Sequence, residues 1–172
     1  MLEALRQGGY RAVTLEGIAR KIKRARTSLY RRWPSKRHLV AYTILREMGA
    51  SPAADTGALR GDLLTAVATL RRAFAGPLRQ ALPGLVAEMA HDVKFAEILR
   101  REVLAARRRS MRAALARAQT RGEACADLET ELLLDMLTGP FYYRALFGHA
   151  PISHGLAAGL VEYVLRIVAP RS

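Results

Sequence analysis

TLEGIARKIKRARTSLYRRWPSK, residues 14–36, is the stretch that decides the fold. Leu15, Ile18, Ala19 and Ile22 recur at i, i+3, i+4, i+7, the spacing of one helical face. Thr14 directly precedes them, where its hydroxyl can cap the first turn. A second short helix runs from about Arg26 to Trp33. Leu29 and Trp33, four apart, can pack inward, while Arg26, Thr27, Tyr30 and Arg31 turn toward solvent. Pro34 stops that helix, and Ser35 can cap the next, which carries Leu39, Tyr42, Thr43, Ile44 and Met48. Two short helices around a turn, backed by a supporting helix, make a helix-turn-helix. In that motif the second helix enters the major groove and the first crosses the phosphate backbone.

Charge follows the same segment. Residues 1–48 hold 12 Lys and Arg against 3 Asp and Glu, whereas residues 49–172 hold 16 against 12. Most of the net +13 therefore sits on the helix-turn-helix, as an electrostatic footprint for phosphate requires. A basic but inert surface would explain the total and not its concentration.

With 172 residues and 51% apolar content, the chain can bury a substantial core. Its lone Cys125 excludes an intrachain disulfide, which fits a reducing cytoplasm. MLEALRQGG lacks the apolar core of a secretory signal, and no apolar run is long enough to span a bilayer. The expectation is a cytoplasmic protein without a membrane partner.

Working outward, MLEALRQ supplies about two turns of a first helix. GASPAADTG, residues 49–57, breaks the helical periodicity and reads as a linker between a domain at 1–48 and another at 58–172. Leu59, Leu63, Val67, Leu70 and Phe74 form an apolar stripe that ends at Gly76-Pro77. A shorter helix is expected over Leu82 to His91, behind Pro83. Asp92 caps a long helix from about Val93 to Arg121, which Gly122 stops. Asp127 opens the next helix, kinked at Gly139-Pro140. The last runs from about Ser153 to Ala169, with Leu156, Leu160, Tyr163, Val164 and Ile167 on one side. No strand alternation appears, so the fold is all-α, with about nine helices: a three-helix helix-turn-helix domain, then a helical second domain.

GGYRAVTLEGIA followed by TSLYRRWPSK resembles the DNA-binding domain of the TetR family of transcriptional regulators, over about Gly9 to Val40. More loosely, PGLVAEMAHDVKFAEILRREVL and DLETELLLDMLTGPFYYRALFGHAP are similar to the ligand-binding and dimerisation half of one TetR subgroup. The resemblance implies phosphate contacts from Thr14, Tyr30 and Lys36, and contacts to base edges from Arg26, Thr27, Ser28 and Arg31. Helix starts offer N–H groups to phosphate, and an Arg or a Thr methyl can discriminate bases. It also implies a palindromic DNA operator, a homodimer and a small-molecule effector that relieves repression, with no cofactor and no enzymatic activity. Flexible or aromatic residues that could line an effector pocket are Phe74, Leu85, Met89, Phe95 and Tyr142. Met136, Tyr143, Phe147, Leu160, Tyr163 and Ile167 could close a four-helix interface with a second copy, and Tyr142 lies in the same apolar run.

The chain departs from the family pattern at the turn between the two short helices. Lys23 stands where Gly is usual, Arg24 where an apolar residue is usual, and Ala25 where Ser usually caps. A lost cap costs typically ~1 kcal/mol. Two further constellations set alternatives. Glu88 and His91 have the Glu-x-x-His spacing of helical metal enzymes, in a single copy. Arg107, Arg108, Arg109 and Arg112 form a basic cluster that reads as a solvated face. A helical metal enzyme and a non-sequence-specific basic nucleic-acid binder are the rival readings.

Overall fold

The computed structural model describes residues 1–21, 26–48, 54–76 and 78–170. The turn residues Lys23, Arg24 and Ala25, residues 49–53 of the linker, and the side chains of Arg26, Ser28 and Leu29 lie outside that description. The helices run in chain order as α1 (Leu2–Ala12), α2 (Leu15–Lys21), α3 (Arg26–Arg32), α4 (Lys36–Met48), α5 (Leu59–Ala75), α6 (Leu78–His91) and α7 (Val93–Ile98). A π-helical turn (Leu99–Leu104) leads into α8 (Ala105–Thr120), and α9 (Thr130–Phe147) and α10 (His154–Val168) complete the bundle. The described residues contain no strand, and the fold is all-α.

Local chemistry sets most boundaries where the sequence places them. The Gly17 amide donates to Thr14 Oγ1 at 3.0 Å, so Thr14 caps α2. Asp92 accepts from the Phe95 amide at 3.0 Å and Ser153 from the Leu156 amide at 3.1 Å, starting α7 and α10. In α1 the regular geometry breaks at Gly8 and Gly9, leaving about the two turns expected of MLEALRQ. Gly9 has φ 63°, a conformation that costs other residues roughly 1–2 kcal/mol, and it swings Tyr10 into the core. The α5 stripe of Leu59, Leu63, Val67, Leu70 and Phe74 is buried throughout.

Four expectations are corrected. The α6 helix starts at Leu78, not Leu82, and contains Pro83. Its core-facing Leu78, Ala81, Leu82 and Leu85 keep one buried face across that proline. The long helix expected from Val93 is divided by the π turn into α7 and α8. The α9 helix opens at Thr130 and not at Asp127. The intervening backbone is held elsewhere: Cys125 N–H donates to Val168 O at 2.9 Å, and Gln119 Nε2 donates to the carbonyls of Cys125 and Ala126, each at 3.1 Å. In α10, Val164 is buried with Ala157, Val161 and Val168, on the side opposite exposed Tyr163 and Ile167.

A continuous core joins the N-terminal helices to the rest. Leu5, Tyr10 and Val13 and the α4 residues Val40 and Ile44 belong to one cluster with α5, α9 and α10. The α1 helix lies along α6, and α4 packs on α5, α7 and the π turn. The end of the linker is anchored as well. Asp62 is buried and accepts from Arg117 Nη2 at 3.0 Å and from Thr56 N and Oγ1 at 2.7 and 2.8 Å. Burial raises its pKa, but those donors outweigh burial and hold the carboxyl below its ordinary value.

Candidate DNA-reading face and effector cavity

The seven-residue α3 presents exposed side chains to solvent. Thr27, Tyr30 and Arg31 are exposed, and their spacing of three and four places them on one helical face. The Tyr30 hydroxyl donates to Glu16 Oε1 at 3.3 Å, bracing α3 against α2. At the far end, Trp33 packs on Tyr42 of α4 with ring centroids 5.4 Å apart. The Arg32 guanidinium lies 5.1 Å from the Trp33 ring and 5.9 Å from the Tyr42 ring. Arg32 is thereby drawn back toward the support helix, a role the sequence did not reveal. Thr14, exposed at the start of α2, keeps its hydroxyl proton available to a phosphate while its oxygen caps the helix.

Lys36 opens α4, as the phosphate reading requires, but its ammonium already has partners. It stands 4.1 Å from the Tyr10 ring centroid and donates to Arg11 O at 3.4 Å. Burial lowers its pKa, while the same burial, aided by the nearby Asp92 charge, pushes Tyr10 up to about 12. Tyr10 stacks on Phe95 at 4.7 Å between centroids, and Arg37 of α4 forms an ion pair with Asp92, the cap of α7. The Arg37 hydrogen bond is the chief reason that the Asp92 carboxyl sits below its ordinary pKa. The reading head is thus pinned to α7 through α4.

Behind α4 lies a cavity of about 200 Å³. Phe74, Leu85, Met89 and Tyr142 line it, together with Ile44 and Met48 of α4 and Leu99, Val103 and Leu104 of the π turn. Phe95 does not line it. Its ring is spent on Tyr10, so it is core at the junction of α1 and α7. π turns recur at functional sites, and here the turn forms one wall of the cavity. A second chamber of about 340 Å³ shares Leu104 and Tyr142 with the first, and Arg107, Arg108, Asp135 and Thr138 also line it.

The arginine cluster on α8 is only in part a solvated face: Arg109 and Arg112 are exposed, but Arg107 is enclosed. Arg107 donates to Met48 O at 2.6 Å, Ala66 O at 2.9 Å and Thr69 Oγ1 at 3.1 Å. Arg108 reaches Glu131 and Asp135 of α9, at 2.6 and 2.5 Å, and Arg112 reaches Glu131 at 2.5 Å. The hydrogen bonds from Arg112 and Arg108 pull the Glu131 carboxyl down to about 2. Only Arg109 of the four is exposed without such a tie among the described residues. Glu88 is half-buried and His91 exposed, and no group of three or more His, Cys, Asp or Glu among the described residues could hold a metal ion.

The α9 and α10 helices also expose large apolar side chains. Tyr143 is 56%, Phe147 70% and Tyr163 66% exposed, and Met136 and Ile167 are also exposed. Leu160 is half-buried against the core. Leu132 and Leu146, which the sequence reading passed over, are exposed on α9 as well.

Residues 2–43 match the family described as "Bacterial regulatory proteins, tetR family", and residues 53–164 match "Tetracyclin repressor-like, C-terminal domain". The chain is 28% identical over 169 residues to the DNA-binding transcriptional repressor TetR of Mycobacteroides abscessus, covering 97% of this chain and 88% of that protein. It is 26% identical to the uncharacterized HTH-type transcriptional regulator YdeS of Bacillus subtilis, covering 92% and 81%. The crystal structure of the TetR family transcription regulator SCO0332 superposes with a TM-score of 0.74 at 28% identity, covering 98% of this chain and 94% of that one.

Proposed function

Since the chain belongs to the TetR family of transcriptional regulators and is a DNA-binding regulator, we propose that it is a repressor which grips a palindromic operator as a homodimer and releases it when a small molecule fills the apolar cavity. One observation carries this reading: α4 both supports the DNA-reading helix, through Trp33 and Tyr42, and supplies a wall of the cavity, through Ile44 and Met48. A guest in the cavity therefore pushes on the element that aims α3. In this reading residues 1–48 bind DNA, 49–57 link, and 58–172 bind effector and partner. The protein works in the cytoplasm.

Thr27 and Arg31, with Arg26 and Ser28 as further candidates, read bases, while Thr14, Tyr30 and Lys36 hold phosphates. For Tyr30 and Lys36 this means exchanging Glu16 and the Tyr10 ring for phosphate. Two recognition helices are needed because one short helix reads too little sequence, and twofold symmetry doubles it on half-sites about 34–36 Å or a multiple apart. The exposed α9 and α10 residues supply the interface. Release follows from differential affinity: the effector favours the dimer shape whose two α3 helices no longer match the half-site spacing.

Competition between a palindromic promoter fragment and a scrambled duplex tests this reading. The fragment is expected to win by at least a thousandfold, the low end for specific over non-specific binding. Binding should weaken with salt at a log–log slope near −0.9 per neutralised phosphate. Equal affinity for both duplexes would leave only a basic nucleic-acid binder.

A further inference from the structure

The chamber beside the apolar cavity is lined by a cation, Arg107, that pairs with no carboxylate among the described residues. Arg107 donates to two backbone carbonyls and one hydroxyl, all neutral, and its Nε is buried without a hydrogen-bond partner. Its neighbour Arg108 is matched by Glu131 and Asp135, but no carboxylate among the described residues pairs with Arg107. Burial opposes its charge, and its hydrogen-bond acceptors among the described residues are neutral dipoles. A buried unpaired N–H and an unmatched charge are costly, so an arrangement of this kind is favoured when an anion completes it. Arg107 lines the second chamber, and Tyr142 and Leu104 form the wall which that chamber shares with the apolar cavity.

We propose that the effector is an acidic amphiphile, with an apolar body in the cavity lined by Phe74, Leu85 and Met89 and a carboxylate that accepts from Arg107 in the adjoining chamber. The proposal rests on the effector reading above and adds the chemical class. It also supplies the link to DNA. Arg107 Nη1 holds the carbonyl of Met48, the last residue of α4. A carboxylate beside the guanidinium competes for that donor and loosens the grip on the C-terminal end of α4, whose other end carries Lys36 and Arg37. The geometry makes Arg107 both the reader of the acid and the tie that the acid disturbs.

Titration of the protein with decanoate, decan-1-ol and decyltrimethylammonium, each below its micellar concentration at neutral pH, tests the assignment. Decanoate is expected to bind at least tenfold more tightly than either of the others. Arg107→Met should abolish that preference while decan-1-ol still binds, and Leu85→Trp should block all three by filling the cavity. If Arg107→Met does not fold, the wild-type series decides alone. Equal affinity for decanoate and decan-1-ol, or tighter binding of the cationic probe, overturns the acid assignment and leaves an apolar effector intact. Binding of none of the three overturns the assignment and also removes the cavity as the effector site.

Discussion

Replacing Tyr30 and Arg31 together with Ala leaves a folded protein that binds its operator at least a hundredfold more weakly. Both side chains are exposed, so little core packing is lost; the 3.3 Å bond from Tyr30 to Glu16 is among the contacts removed. A surface change of this kind costs little stability, usually within about 0.5 kcal/mol. The DNA cost is larger, because one good bidentate base contact is worth about 1–3 kcal/mol and occurs twice in a symmetric complex. Circular dichroism and thermal melting should therefore match wild type while operator titration does not. Loss of Arg31 alone is also expected to relax sequence preference, whereas loss of Tyr30 alone should weaken all duplexes alike. Arg32, stacked over Trp33 and Tyr42, belongs to the support of α3. If affinity survived the double substitution, α3 would not be the reading element.

The second large effect is at the α9 and α10 face. Phe147→Asp combined with Tyr163→Asp should convert the dimer to folded monomers in sedimentation experiments and reduce affinity for a palindrome by on the order of 10²–10⁴, the gain that linkage of two binding events provides. These two aromatics are 70% and 66% exposed in the protomer, so charges there cost the monomer little burial. In a dimer the same carboxylates would be desolvated without partners. Persistence of the dimer would place the interface elsewhere.

Much of this architecture is legible in the chain because it is written in local chemistry. The α5 stripe repeats at helical spacing and is buried accordingly. Asp92 and Ser153 cap helices because a short acceptor precedes an apolar run, and Gly122, at φ 74°, stops α8. What the sequence hides is decided by distant partners. Phe95 and Met89 look alike as apolar residues on neighbouring helices, yet Tyr10 claims the first and the cavity has the second. Asp127 has the chemistry of a helix cap, but Gln119 and the Val168 carbonyl hold the adjoining backbone and delay α9 to Thr130. The four clustered arginines carry no sign of their fates. Only the approach of α9 shows that Arg108 and Arg112 are paired, and only the end of α4 and the middle of α5 show that Arg107 is enclosed. The π turn has no spacing signature, so nothing in the long run from Val93 announces it.

The central claim is that a matched pair of α3 helices reads DNA, and selection of bound sequences from a random duplex pool tests it most directly. Enrichment of an inverted repeat is expected, with half-sites one helical turn, or a multiple of one turn, apart. Enrichment of a lone unsymmetric motif, or of no motif at all, would contradict it.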